Sequence, residues 1–109
     1  MLPEKPILYD GCPVTYCMGV IGGKWKTIIL FLISTGVNRF GIMQRSIEGI
    51  SKQMLTNQLR EMERDGILKR TIYAEMPPRV EYSITAKGAT LSPIIESMKA
   101  WGVANMEQS

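Results

Sequence analysis

Histidine is absent from this chain of 109 residues, and only two cysteines are present. A four-ligand zinc site would therefore have to be built from carboxylates at unpromising spacing, so no metal is expected. Two thiols do not make a secreted disulfide framework; in a reducing compartment a cysteine is reactive, metal-bound or simply buried. Long apolar runs are missing too. The longest, Ile28 to Ile33, falls far short of the roughly 20 residues that a bilayer span needs, and the opening M-L-P-E-K-P lacks a signal-peptide layout. These absences predict a cytoplasmic protein with no membrane partner. With no histidine, no readable pair of catalytic carboxylates and no cofactor fingerprint, neither catalysis nor a cofactor is expected. Gly22-Gly23-Lys24 fails as a phosphate loop, because the strand before it is missing and Trp25 stands where a Ser or Thr should follow the lysine.

What is present is ordinary in amount and uneven in place. Hydrophobic residues make up 45% and charged residues 21%, the composition of a folded soluble domain, and the length suits one domain with a small core. The formal charge is +3, but ten Lys/Arg and five Asp/Glu lie between Lys24 and Arg79, against three and five outside that stretch. The middle of the chain is the basic part, as expected of a surface that meets phosphates.

Residues 1–11 read as an irregular arm, and residues 12–109 as a single domain. Pro13 after Cys12 opens a first helix that stops at Gly22-Gly23. A nearly apolar second helix, Lys24 to Ser34, carries Trp25, Ile28, Ile29, Leu32 and Ile33 and is expected to be the buried central helix. Asn38-Arg39-Phe40 suggests a short strand. A third helix follows over Gly41 to Ile47, with Ile42, Met43 and Ile47 inward. Ser51 is placed to cap a fourth helix that ends at Asp65-Gly66. Ile67 to Tyr73 and Val80 to Ile84 make a hairpin around a Pro-containing loop. Thr85 caps a last helix, broken near Ser92-Pro93, with Leu91, Ile94, Ile95, Met98 and Trp101 along one stripe.

At about 100° per residue, Leu55, Leu59 and Met62 cluster on one side of the fourth helix with Met54 near them. Lys52, Gln53, Thr56, Asn57 and Arg60 take the other side. A solvated face would also be polar, so the residue types matter: Gln and Asn amides match adenine edges, Arg and Lys match guanine acceptors, and a Thr methyl meets that of thymine. Two helices joined by a Gly-containing turn, the second bearing these groups from its N-terminus, form a helix-turn-helix that fits the major groove. The hairpin that follows, flanked by Lys69, Arg70 and Arg79, makes a wing that could lay Arg79 on the DNA backbone or minor groove. Ser51, Arg39 and Lys24 are further candidates for phosphate contacts. Glu61, Glu63 and Asp65 are expected to lie past the groove, because carboxylates repel phosphates.

Five segments in register resemble one family: C-P-V at 12–14, I-G-G-K-W-K at 21–26, R-F-G at 39–41, I-S-K-Q-M-L-T-N-Q-L-R-E-M-E-R-D-G at 50–66 and P-P-R-V-E-Y-S-I-T-A-K-G at 77–88. Together they resemble the HxlR-type winged helix-turn-helix regulators of bacteria. The resemblance implies a mainly α fold with a small β-hairpin, related to MarR-type proteins, with a reading helix over 51–64 and a wing over 73–82. It also implies a homodimeric transcriptional regulator joined through terminal helices. The residues agree on the dimer, since Ile94, Ile95, Met98, Trp101 and Met106 are more apolar surface than one small domain hides. The dimer would read double-stranded DNA at a pseudo-palindromic operator.

Several HxlR-like proteins sense electrophiles or oxidants through a cysteine in C-P-V, and Cys12 matches that position. Its place at a helix start also favours a thiolate. The alternative is an inert thiol, with the inducing signal a small molecule or none. Cys17 reads as a small buried hydrophobe, and a Cys12–Cys17 bridge would strain an intact helix. The competing functions are a winged-helix module that binds a protein partner without DNA and, more distantly, a thiol redox enzyme built on Cys12.

Overall fold

The computed structural model describes residues 11–106. The order is α1 (Pro13–Ile21), α2 (Lys26–Ser34), α3 (Phe40–Ser46), α4 (Lys52–Arg64), β1 (Leu68–Tyr73), β2 (Arg79–Ile84), α5 (Ala86–Ala89) and α6 (Ser92–Asn105). This is a winged helix-turn-helix: α3 and α4 form the helix pair, and the antiparallel β1–β2 hairpin is the wing. No single helix among the described residues is long and apolar enough to cross a membrane.

Local signals set the boundaries. Pro13 occupies the first turn of α1, and the Ser51 hydroxyl accepts from the Met54 N–H at 3.0 Å to start α4. Gly66 ends α4 with φ at +77°, a left-handed geometry that glycine adopts without strain, and the Lys87 ammonium donates to the Asp65 carbonyl beside it at 2.9 Å. Thr85 caps α5 by accepting from the Gly88 N–H, and Pro93 sits in the first turn of α6, so the last helix is indeed two.

The core gathers Val20 and Ile21 of α1, Ile29, Leu30 and Ile33 of α2, Met43 of α3, Leu55, Leu59 and Met62 of α4, and Ile67, Leu68 and Tyr82 from the hairpin and its approach. Four expectations need correction. The stretch Asn38-Arg39-Phe40 is not a strand, because α3 begins at Phe40; a single bond, from the Tyr82 N–H to the Asn38 carbonyl at 3.0 Å, is what remains of a third ladder. The second helix starts at Lys26, after Gly23 turns with φ at +92°. It is only half buried: Leu30 points inward while Ile28 and Phe31 point out, Phe31 being 65% exposed. Ile42 and Met54 are likewise exposed, each one position away from a fully buried neighbour, Met43 and Leu55.

Candidate nucleic-acid interface

Burial of Leu55, Leu59 and Met62 fixes the rotation of α4 about its own axis. Lys52, Gln53, Asn57 and Arg60 are thereby turned to solvent, with Thr56 half-buried beside them. The Gln53 amide lies 3.5 Å from the Asn57 Oδ1 one turn on, so the two amides form one row. Ser51 is exposed, but its hydroxyl is engaged as the helix cap.

One edge of α4 is pinned from below. Lys26 is buried, and its ammonium donates to Glu61 Oε1 at 2.9 Å and to the Gly19 carbonyl at 3.3 Å, joining α1, α2 and α4. The hydrogen bond and charge of Lys26 hold the Glu61 carboxyl below the usual range. Glu61 is therefore turned from the polar row toward α2. Sequence reasoning passed over Lys26, because a lysine at the head of an apolar helix resembles an exposed first turn.

The other edge of α4 faces the wing across a cleft of about 540 Å³, lined by Phe40, Thr56, Arg60, Glu63, Arg64, Arg70 and Tyr82. Arg70 pairs with Tyr82 across the ladder, so the two share a face of the hairpin. Burial raises the Tyr82 pKa, which keeps the phenol neutral against the cleft floor. Arg64 and Arg70 were not among the expected contacts, because only the hairpin register brings Arg70 opposite α4. Glu63 lines this cleft rather than lying beyond it, 3.9 Å from Arg70.

Arg79 is on the other face of the wing. Its guanidinium stacks over the Tyr73 ring at 3.8 Å and is hydrogen-bonded by Glu75 and Glu81, which hold its pKa above the ordinary arginine range. Arg39 approaches the same Glu81 at 3.6 Å. Lys24 rests over the Trp25 ring at 4.7 Å, and that ring borders Gly49 in the turn before α4. Arg79 and Arg39 thus share carboxylates, whereas no carboxylate among the described residues pairs with Lys52 or Arg60.

The remaining candidates lie elsewhere. Cys12 and Cys17 are free and half-buried, Cys12 at the N-cap of α1 and Cys17 in its middle. No capping hydrogen bond closes on the Cys12 side chain, but the neighbouring Thr15 amide, then the Thr15 hydroxyl and the Val14 amide, favour its thiolate and lower its pKa. None of the fourteen residues of α6 is buried, and Ile94, Met98 and Trp101 lie open with Met106 just beyond, while Ile95 reaches the core edge.

Residues 20–109 match the family model of the HxlR-like helix-turn-helix. The chain is 46% identical over 109 residues to the uncharacterised HTH-type transcriptional regulator YybR of Bacillus subtilis, spanning 97% of this chain and 87% of YybR. It is 48% identical over 94 residues to YdeP of the same bacterium, covering 86% and 73% of the two chains. Among solved structures, the redox regulator HypR in its oxidised form superposes with a TM-score of 0.80 at 47% identity, over 89% of this chain and 100% of that one. The reduced form of the transcriptional regulator YodB from B. subtilis gives 0.76 at 31% identity, over 88% and 95%. With the fold, the turn and the reading helix in place, the chain belongs to the HxlR-like helix-turn-helix family of transcriptional regulators.

Proposed function

We propose that this protein is a sequence-specific DNA-binding regulator that acts as a homodimer on a pseudo-palindromic operator. The observation that carries the reading is the rotation of α4, which buries Leu55, Leu59 and Met62 and turns Lys52, Gln53, Asn57 and Arg60 to solvent in an unobstructed row. Laid in a major groove, that row offers amides and cations to base edges, with the Thr56 methyl beside them. Lys24, Arg39, Ser51 and Arg79 are the further candidates for backbone contact. Of these Arg79 has the weakest claim, since Glu75 and Glu81 already neutralise it.

The exposed apolar stripe of α6, with Ile94, Ile95, Met98, Trp101 and Met106, supports a dimer by offering a surface that a second copy would cover. Two reading helices related by a two-fold axis would then meet half-sites about one helical turn apart, or a multiple of it.

A thiol response is part of the proposal. HypR is a redox regulator, and at 47% identity its likeness supports a sensing role for Cys12, whose surroundings favour the reactive thiolate. Two thiols from two subunits would lose two electrons and two protons to an oxidant such as diamide, forming one intersubunit S–S bond as diamide is reduced to the hydrazine.

The test is binding to DNA from upstream of the protein's own gene at two salt concentrations, with and without diamide. Steep loss of affinity with salt supports the regulator, as does its abolition by diamide in wild type but not in Cys12→Ser. Salt-indifferent binding contradicts DNA contact through phosphates. Tight binding untouched by diamide removes the thiol response and leaves the regulator standing.

A further inference from the structure

We propose that the cleft between α4 and the root of the wing is the main seat for a DNA backbone phosphate, with Arg64 and Arg70 as its ligands; the proposal rests on the DNA-binding reading above. Wings are expected to work through cations at their tips, and here the tip cation is occupied. Arg79 stacks on Tyr73, and its donors are taken up by Glu75 and Glu81. A phosphate arriving there would have to displace two carboxylates.

At the root the balance is reversed. Arg60, Arg64 and Arg70 line a cleft of about 540 Å³ with a single carboxylate, Glu63, among them. Arg70 reaches Glu63 only at 3.9 Å, and Arg64 reaches Asp65 at 3.6 Å, both longer than a charge-assisted hydrogen bond. The guanidiniums therefore keep most of their donors for another acceptor. Phe40 and Tyr82 form a floor that displaces water, and the neutral Tyr82 phenol adds no repelling charge. A guanidinium matches two phosphate oxygens at once, so this cleft suits a phosphate better than it suits a base edge. Its position beside the polar row of α4 points to the strand bordering the groove that α4 enters.

The experiment is fluorescence anisotropy of the full chain on a duplex of mixed sequence, titrated from about 50 to 200 mM KCl. No operator is needed, because a phosphate contact acts on all sequences alike. Arg64→Ala and Arg70→Ala should each lower the slope of log K against log salt by about 1, with Arg70→Lys retaining most of the slope. The Arg64 side chain is 71% exposed and that of Arg70 46%, and unchanged melting curves would confirm that the variants fold. A steep wild-type slope that both alanine variants keep overturns the cleft and leaves the regulator reading intact. A wild type that binds no duplex overturns both. If the slope survives but inorganic pyrophosphate raises the melting temperature of wild type and not of Arg70→Ala, the cleft holds a small anion and the backbone assignment fails.

Discussion

Replacing Glu61 by alanine should destabilise the protein more than replacing the lysine it meets. Lys26 Nζ lies 2.9 Å from Glu61 Oε1, and the two side chains are 5% and 39% exposed. Without Glu61 the ammonium stays buried with only the Gly19 carbonyl at 3.3 Å as partner. Stranding one charge of a fully buried pair costs about 3–5 kcal/mol, and a hydrogen bond to a charged group contributes about 1.5–3. Glu61 is partly hydrated, so solvent screening places this pair at the lower end, about 2 kcal/mol. At about 4–8 °C per kcal/mol for a domain of this size, the melting temperature should fall by roughly 10 °C. Lys26→Met strands only a carboxylate that water can reach and adds apolar surface to the core, so its cost should stay below about 1 kcal/mol. Glu61→Gln, which still accepts a hydrogen bond, should fall between. The assay is thermal melting by circular dichroism at one protein concentration. The pH dependence gives a second readout, because the folded Glu61 pKa is depressed. Its stabilisation is complete above the unfolded glutamate value of about 4.3 and is lost as pH falls through the lower folded value, so the gap between wild type and Glu61→Ala should close on acidification. A Glu61→Ala melting point within about 2 °C of wild type, or a Lys26→Met variant less stable than Glu61→Ala, would show that the buried ammonium does not depend on Glu61.

Other perturbations follow from the same geometry. Ser51→Ala removes the acceptor for the Met54 N–H and should cost about 1 kcal/mol, seen as a lower urea midpoint at unchanged slope. Gly88→Ala would drive a methyl into the Ile67 carbonyl oxygen and to 2.9 Å from Ile84 Cγ2, so overpacking should cost about 1–3 kcal/mol in the same assay. Trp101→Glu should yield monomers in sedimentation velocity, since it places a charge in the exposed stripe of α6; an unchanged dimer mass would refute that interface.

The parts of this fold that were readable from the chain are those decided within a few residues. The Ser51 and Thr85 caps, the Gly66 stop and the division of α4 into two faces depend on neighbours one turn away, and each stands where expected except for Met54, which lies outside the buried side. The inward side of α2 was not readable, because a run of Ile, Leu and Phe carries no polar residue to mark which side faces out. Only the packing of β2 against α2 selects Leu30 and leaves Phe31 exposed. Lys26 was missed for a related reason: its partner lies 35 positions along the chain, and nothing local says that a lysine after Trp25 turns inward. The cleft arginines needed still more, since the register that sets Arg70 opposite Tyr82 decides whether Arg70 faces α4 or the far side of the wing. Arg79, the first residue of β2 and the partner of Tyr73, takes the far side and is consumed by Glu75 and Glu81.

The central claim is that the outward row of α4 reads bases, and the most direct measurement compares affinity for the native upstream duplex with that for a scrambled duplex of equal length and composition, in wild type, Gln53→Ala and Arg60→Ala. Wild type should prefer the native duplex, and each substitution should shrink the preference by about 1–3 kcal/mol with folding intact. Once a bound site is in hand, equal loss on both duplexes, with the preference retained in both variants, would contradict it.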